Sequence, residues 1–367
     1  MAFDRDGHIY LRTHNLILRY RPDTWREVPF DYGEERRREG YSDGGGDRTT
    51  AAISGAVFPG NRGWHQGGMH VNARGDIVVG ALYEVDPGSR LDNAQVHATE
   101  KFEPRMYPGR RYDPGGRFGG ILVHVLDRHG QMLHADAVPG LIHALNGVAL
   151  DADRRVYLLA HRTRAYDGKA GWNPLSGTLI RLTPGQNRIL SAFGAPVSLD
   201  APPDRPPDLR FGRNRGRTWV EGAHWFYGGG GWGGHNSPGT SLCSCHNSRF
   251  TLDDFARSFT PEVARYNVGV VDSAGNLILR VGQYGNVDDG MPLVKKGGPP
   301  NPRSIGGDEV ALFHPAYVAT HTDRRLFIAD AGNARIVSVK LGYHATESVA
   351  LKDAAEGKGP DTREKPQ

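Results

Sequence analysis

The feature that most constrains the fold is a recurring unit of short apolar runs separated by polar turns. Its clearest copy occupies residues 313–341, where runs rich in β-branched and aromatic residues flank turns at residues 321–325 and 330–333. Weaker copies begin near residues 2, 68, 148 and 250. Each copy predicts a β-meander, and repetition of one meander restricts the chain to repeat architectures.

Five meanders at irregular spacing predict an all-β β-propeller, in which four-stranded blades pack around an axis and leave only short edges. We expect five to seven blades, with six favoured, and long inserted loops. Residues 1–351 are predicted to form a single propeller domain, followed by a polar, disordered tail at 352–367. The chain starts in the middle of a repeat, so we expect an earlier strand, blade or signal peptide before Met1.

Individual strands and insertions can be assigned from the same pattern. In the third copy, the runs within 148–160 are predicted to continue as strands at 178–183 and 188–193, and in the first copy a strand at 25–30 is considered. Insertions are predicted at 33–50, 84–117 and 200–218, with one short helix at 93–101. Residues 225–246, rich in glycine and aromatic side chains, are expected to form an ordered loop over one face of the propeller.

The turn and third strand of the clearest copy carry a specific motif. Asp330, Asn333, Arg335 and Ile336 match the pattern Asp-x-x-Asn-x-Arg-Ile. This resembles the NHL repeat, and the resemblance covers the repeats, about half of the chain. At the level of fold it extends to NHL-type peptidyl-hydroxyglycine lyases and gluconolactonase-like propellers, which hold an ion at their centre. It implies lyase or hydrolase activity and a secreted or periplasmic location, although no apolar secretory segment follows Met1.

Charge and hydropathy bear on the partners. The net charge is +4, and the basic residues bunch in glycine- and proline-rich insertions, where solvated loops are expected and an anionic ligand is the alternative. A nucleic-acid surface would need those clusters joined along one face with aromatic residues between them, so no nucleic-acid partner is expected. No apolar run reaches the about 18 residues that a membrane span needs.

Alignment of the repeats brings histidines into one column. With Asn72, Asp151, Asp253 and His321 aligned, the position seven residues earlier is occupied by His65, Ala144, His246 and His314. Equivalent positions near the start of the inner strands form a ring around the channel mouth. Three histidines with an open position are a recurring catalytic metal site. His143 is a substitute beside the empty position, and His70 is a weaker candidate. Structural or substrate-binding histidines, or coincidence, are the alternatives.

The two cysteines lie next to this column. Cys243 and Cys245 are separated by one residue and are followed directly by His246. Two thiolates and an imidazole form a compact ligand set for zinc or copper, and calcium is less expected. A strained, easily reduced disulfide or a pair of inert thiols are alternatives. A c-type haem would need C-x-x-C-H, which the chain lacks.

Two further residues are candidates for catalysis. Arg249 follows His246 by three residues and Tyr317 follows His314 by three, so both are predicted near the ring, where they could hold a developing negative charge. A salt bridge inside the channel is the other interpretation of Arg249. The residues predict a metal-dependent lyase or hydrolase with a small-molecule, peptide or glycan ligand at the channel mouth. A non-catalytic propeller that binds a protein or glycan, and a copper redox protein, are the alternatives.

Overall fold

The structure is a computed structural model of the whole chain. It describes residues 1–12, 16–30, 55–58, 67–85, 118–140, 145–171, 173, 175–192, 203–211, 215–231, 248–285, 310–321 and 324–342. Within these residues the regular structure consists of β-strands and two 3₁₀ turns.

The first eight strands form two antiparallel sheets in chain order. The first sheet contains β1 (Ala2–Phe3), β2 (Ile9–Arg12), β3 (Leu16–Tyr20) and β4 (Ala56–Val57). The second contains β5 (Met69–Val71), β6 (Ile77–Val85), β7 (Phe118–Leu126) and β8 (Met132–His134). Residues 25–30 do not form the fourth strand of the first sheet. They contribute only an isolated bridge between Tyr20 and Glu27, and β4 pairs with β3 instead.

The next nine strands form two sheets that alternate along the chain. They are β9 (Leu145–Leu150), β10 (Val156–Ala160), β11 (Thr163–Tyr166), β12 (Lys169–Ala170), β13 (Gly177–Leu182), β14 (Arg188–Ala192), β15 (Leu209–Phe211), β16 (Arg215–Glu221) and β17 (Ala223–Gly230). The third sheet has the order β17-β13-β10-β9, and an additional five-stranded sheet has the order β12-β11-β15-β16-β14.

This arrangement corrects three predictions. The fourth strand of the third sheet is β17, not residues 188–193, because β14 pairs with β16 in the additional sheet. The predicted insertion at 200–218 contains β15 and part of β16. Residues 225–230 belong to a strand and not to a covering loop. Trp225 and Tyr227 pack against the buried cluster of the third sheet, which favours pairing of β17 with β13.

The last nine strands form the fourth and fifth sheets and a small parallel pair. They are β18 (Thr251–Leu252), β19 (Ser258–Glu262), β20 (Asn267–Val271), β21 (Leu277–Val281), β22 (Gln283–Tyr284), β23 (Ala311–Leu312), β24 (Pro315–His321), β25 (Arg325–Asp330) and β26 (Arg335–Lys340). β18–β21 form the fourth sheet and β24–β26 the fifth. The 3₁₀ turns Val263–Arg265 and Ala331–Asn333 follow β19 and β25.

The turn after the first strand is built in the same way in three sheets. Asn72, Asp151 and Asp253 each accept, on one side-chain oxygen, the backbone N–H groups two and four residues later, at 2.8–3.0 Å. Short polar side chains that satisfy a turn in this way are strongly favoured there. The structure therefore shows that these three aligned residues occupy equivalent positions.

The sheets lie side by side around a common centre. The first strands of the five successive sheets, β1, β5, β9, β18 and β24, contact one another in chain order. Apolar side chains fill the space between neighbouring sheets, with Ile121 and Leu158 buried between the second and third and Phe259 and Leu326 between the fourth and fifth. The predicted fold class, an all-β β-propeller, is confirmed. The number of blades and the domain boundary at residue 351 stay predictions.

Two predicted segments, the helix at 93–101 and the tail at 352–367, lie outside the described residues. In the part of the chain that the structure describes, no helix has the length and apolar character to cross a membrane.

Candidate functional site

Residues from five sheets meet where the first strands begin, and this place is called the entrance end below. It comprises Arg12, Gly68, Asn146, Arg249 and Tyr317. Arg12 Nη1 donates to the carbonyl oxygen of Gly68 at 3.0 Å, and Arg249 Nη1 donates to the carbonyl oxygen of Asn146. The parallel bridge between Arg249 and Tyr317 adds the fifth sheet. The entrance end therefore draws on all five sheets, at the place where the sequence predicts the channel mouth.

Arg249 extends from the fourth sheet across the third to the second. Its backbone pairs with the fifth sheet, because its N–H donates to Ala316 O at 3.0 Å. A Cβ atom on Gly68 would lie 3.1 Å from Arg249 Nε, and Gly68 has a φ of +83°. Glycine at position 68 thus leaves room for this arginine and also suits the backbone conformation.

The guanidinium group of Arg249 contacts carbonyl oxygens. Nη1 donates to Asn146 O and to Ser248 O, the latter at 3.2 Å. Among the described residues no carboxylate pairs with it, so the alternative of a salt bridge in the channel finds no support there. Burial lowers the pKa of Arg249, and the nearby Tyr317 phenol acts in the opposite direction.

Arg12 adds a second positive charge at the entrance end. It ends β2, is half-buried, and its guanidinium carbon lies 5.2 Å from the centre of the Phe58 ring. Burial lowers its pKa to about 9, and the charge of Arg249 adds to the effect. Sequence reasoning missed Arg12, because the repeat alignment offered no counterpart in the first copy.

Tyr317 lies beside Arg249 on the innermost strand of the fifth sheet. Its backbone neighbour Val318 donates to Arg249 O at 3.3 Å, and the Tyr317 side chain is 43% exposed. The structure therefore brings together the two residues that the sequence predicted as catalytic, with the phenol accessible to a ligand.

The NHL-like motif fixes the chain that leads into β24. The carboxylate of Asp330 is fully buried, and its Oδ1 accepts the N–H groups of Phe313 at 3.1 Å and His314 at 2.8 Å. Its other oxygen accepts Asn333 Nδ2 at 2.6 Å and lies 3.5 Å from Arg335 Nε. The motif thus holds the backbone of His314, which precedes β24.

A second buried carboxylate occupies the matching place in the fourth sheet. Glu262 ends β19 as Asp330 ends β25, and each is followed by a 3₁₀ turn closed by a left-handed residue. Glu262 accepts the Tyr227 phenol and, at 2.7 Å, Arg280 Nε. Burial raises the pKa of Tyr227, and the charge of Glu262 adds to this. This equivalence could have been found in the sequence, because residues 262–267 and 330–335 share the spacing of an acidic residue that ends a strand and a polar residue five positions later.

The predicted metal ligands are only partly described. His314 is half-buried just before β24, whereas His65, His143, Cys243, Cys245 and His246 lie outside the described residues. The predicted ring therefore stays a prediction. Imidazole and thiolate donors fit zinc or copper better than calcium. His70 lies on β5, where its Nδ1 accepts the N–H of Leu150 at 3.3 Å and burial lowers its pKa to about 4.

One other group of potential ligands occurs within the described residues. Asp4, Asp6 and His8 in the turn between β1 and β2 have oxygen and nitrogen atoms within 4.8 Å of one another. The His8 backbone N–H and Nδ1 each lie 2.9 Å from carboxylate oxygens of Asp4, so this group stabilises a turn.

Comparisons with known proteins concern the fold. No family model and no curated protein matches the chain. It is similar to the solved structure of a putative gluconolactonase, at 11% identity and a TM-score of 0.34, over 92% of this chain and 72% of the other. It is also similar to virginiamycin B lyase from Staphylococcus aureus, at 9% identity and a TM-score of 0.32, over 93% and 83%. A third similar structure is a gluconolactonase from Xanthomonas campestris, at 14% identity and a TM-score of 0.26, over 89% of this chain and 80% of the other. Similarity at this level carries no argument about the chemistry of this chain.

Proposed function

We propose that the protein is a metal-dependent lyase or hydrolase whose active site is the entrance end. The observation that supports this most is the placement of Arg249 and Tyr317 side by side on neighbouring sheets. A phenol and a guanidinium group at the mouth of a channel can together move a proton and stabilise negative charge.

The two side chains would have separate roles. Tyr317, exposed at the entrance end, would exchange a proton with the substrate as general acid or base. Arg249 would donate hydrogen bonds to the oxygen on which negative charge develops, whether a carbonyl oxygen under attack by water or an enolate oxygen during elimination. Fixed carbonyl contacts to Asn146 and Ser248 hold the guanidinium group in place before the substrate arrives.

A zinc or copper ion is part of the proposal. The candidate ligands are His314, His65, His246, Cys243 and Cys245, with His143 as a substitute. Such an ion would supply a Lewis acid when bound. His314 is the one ligand in this set whose surroundings are described. Its backbone N–H donates to the Asp330 carboxylate, which keeps its position fixed relative to β24.

The test is turnover of a panel of lactones, esters and β-substituted carbonyl compounds by metal-loaded protein. Tyr317→Phe should lower kcat on any substrate that is turned over by about a hundredfold or more, because it removes the proton-transfer group. Tyr166→Phe, a change at an exposed tyrosine on β11, should leave kcat unchanged. Absence of turnover across the panel, or full activity of Tyr317→Phe, would contradict the proposal.

A non-catalytic binding protein is the second candidate, favoured by an aromatic cluster near His314. The rings of Tyr266, Tyr284 and Phe313 lie 4.8–6.4 Å apart, centre to centre, and Tyr284 and Phe313 are 62% and 44% exposed. Exposed aromatic groups of this kind are typical of ligand surfaces. Saturable binding of a glycan or peptide that Phe313→Ala abolishes, without turnover, would favour this candidate over an enzyme.

A further inference from the structure

We infer that the substrate or ligand of the entrance end carries an anionic group, a carboxylate or a phosphate, which binds between the guanidinium groups of Arg12 and Arg249. Calling the ligand a substrate rests on the proposed function. The inference adds the chemical class of the group that the site selects, an anion. It is carried by the convergence of two arginines from different sheets on one glycine.

The two side chains approach Gly68 from different directions. Arg12 reaches it from the first sheet and donates to its carbonyl oxygen at 3.0 Å. Arg249 reaches it from the fourth sheet, and its Nε would lie 3.1 Å from a Cβ atom at this position. The charge of Arg249 acts on the guanidinium group of Arg12. Two like charges are thus held near one another at the entrance end.

Burying the charge of Arg249 beside a second guanidinium group costs free energy, and an anion bound to Arg249 would recover part of it. Both guanidinium groups are partly removed from water, where repulsion between like charges is screened less than at an open surface. Backbone carbonyl oxygens take only part of the hydrogen-bonding capacity of Arg249, because Nη1 makes both of its described side-chain hydrogen bonds. A guanidinium group has five N–H donors in a planar fork that matches a carboxylate or phosphate.

The surroundings of Arg249 also favour an anion over a neutral or cationic ligand. Two other arginines with partly covered side chains pair with carboxylates, Arg181 with Asp151 at 3.2 Å and Arg280 with Glu262 at 2.7 Å. Within the described residues Arg249 has no such partner.

The experiment measures binding of inorganic phosphate and, separately, of acetate to the full chain by calorimetry at constant ionic strength and pH 7. We expect saturable binding of at least one of the two, and the preferred anion identifies phosphate or carboxylate as the group. Arg249→Gln and Arg12→Gln should each weaken it at least tenfold, since each removes a charged donor. Arg249→Lys and Arg12→Lys, which keep the charge and are better suited to preserve the fold, should weaken it less than the glutamine variants.

Arg188→Gln is the matched control. Arg188 forms an exposed ion pair with Glu221 in the additional sheet, so this variant changes the net charge equally without altering the entrance end. Equal anion binding by wild type, by the correctly folded lysine variants and by Arg249→Gln would overturn the inference, as would absence of saturable binding by wild type. The assay needs no turnover. Anion binding without catalysis would therefore contradict the proposed function alone, and catalysis without anion binding would contradict the inference alone.

Discussion

Asp330 shows how one buried side chain determines the position of a residue proposed as a metal ligand. Its carboxylate is fully buried. It accepts hydrogen bonds from the backbone N–H groups of Phe313 and His314, before β24, and from the Asn333 side chain in the turn after β25. A buried carboxylate with this many donors is stable only while all of them are present. The motif that resembles the NHL repeat therefore has a structural task, and the position of His314 depends on it.

Replacement of this carboxylate should be costly. Asp330→Ala would leave two backbone N–H groups and the Arg335 guanidinium without their buried acceptor. We expect a loss of about 3 kcal/mol or more in the free energy of unfolding, measured by urea denaturation. Glu221→Ala, which breaks the exposed pair with Arg188, should cost about 1 kcal/mol or less. A loss for Asp330→Ala no larger than for this control would show that the motif does not hold the chain before β24.

At the scale of single elements, β17 accounts for the glycine-rich sequence that follows its aromatic residues. A Cβ atom on Gly230 would lie 2.4 Å from Thr260 Cγ2, and one on Gly231 would lie 2.7 Å from Ser248 Oγ. The glycines thus allow the third and fourth sheets to approach closely at the entrance end. Packing, and not a loop that covers a face, explains Gly230 and Gly231.

A methyl group at this contact should test the packing. Gly230→Ala places a Cβ against Thr260, where β17 of the third sheet packs on β19 of the fourth, and we expect a loss of about 1–3 kcal/mol in the free energy of unfolding. Gly342→Ala is the control, because no atom of the described residues lies within 4 Å of its added Cβ. Equal unfolding midpoints for Gly230→Ala and wild type would mean that the sheets are further apart than the structure places them.

At the scale of the whole molecule, the sequence predicted the local units well and their long-range pairing less well. The inner strands and their turns were identified because alternation and turn residues are local signals, as at Asn72 and Asp151. The strand that pairs with β13 was not identified. Both β14 and β17 are rich in β-forming residues, and which of them pairs with β13 depends on packing between residues more than 40 positions apart. Proximity of Arg249 and Tyr317 followed from the repeat alignment, whereas Arg12 had no aligned counterpart.

Metal content per chain tests whether the entrance end is a metal-dependent active site, as we propose. The protein is purified, loaded with zinc or copper, dialysed, and analysed by elemental mass spectrometry together with two variants. His314→Ala alters the start of β24, and His321→Ala alters the other end of the same strand. We expect about one ion per chain in wild type and in His321→Ala, and loss of most of the metal in His314→Ala. Metal-free wild type, or equal metal content in wild type and His314→Ala, would contradict the proposed metal site.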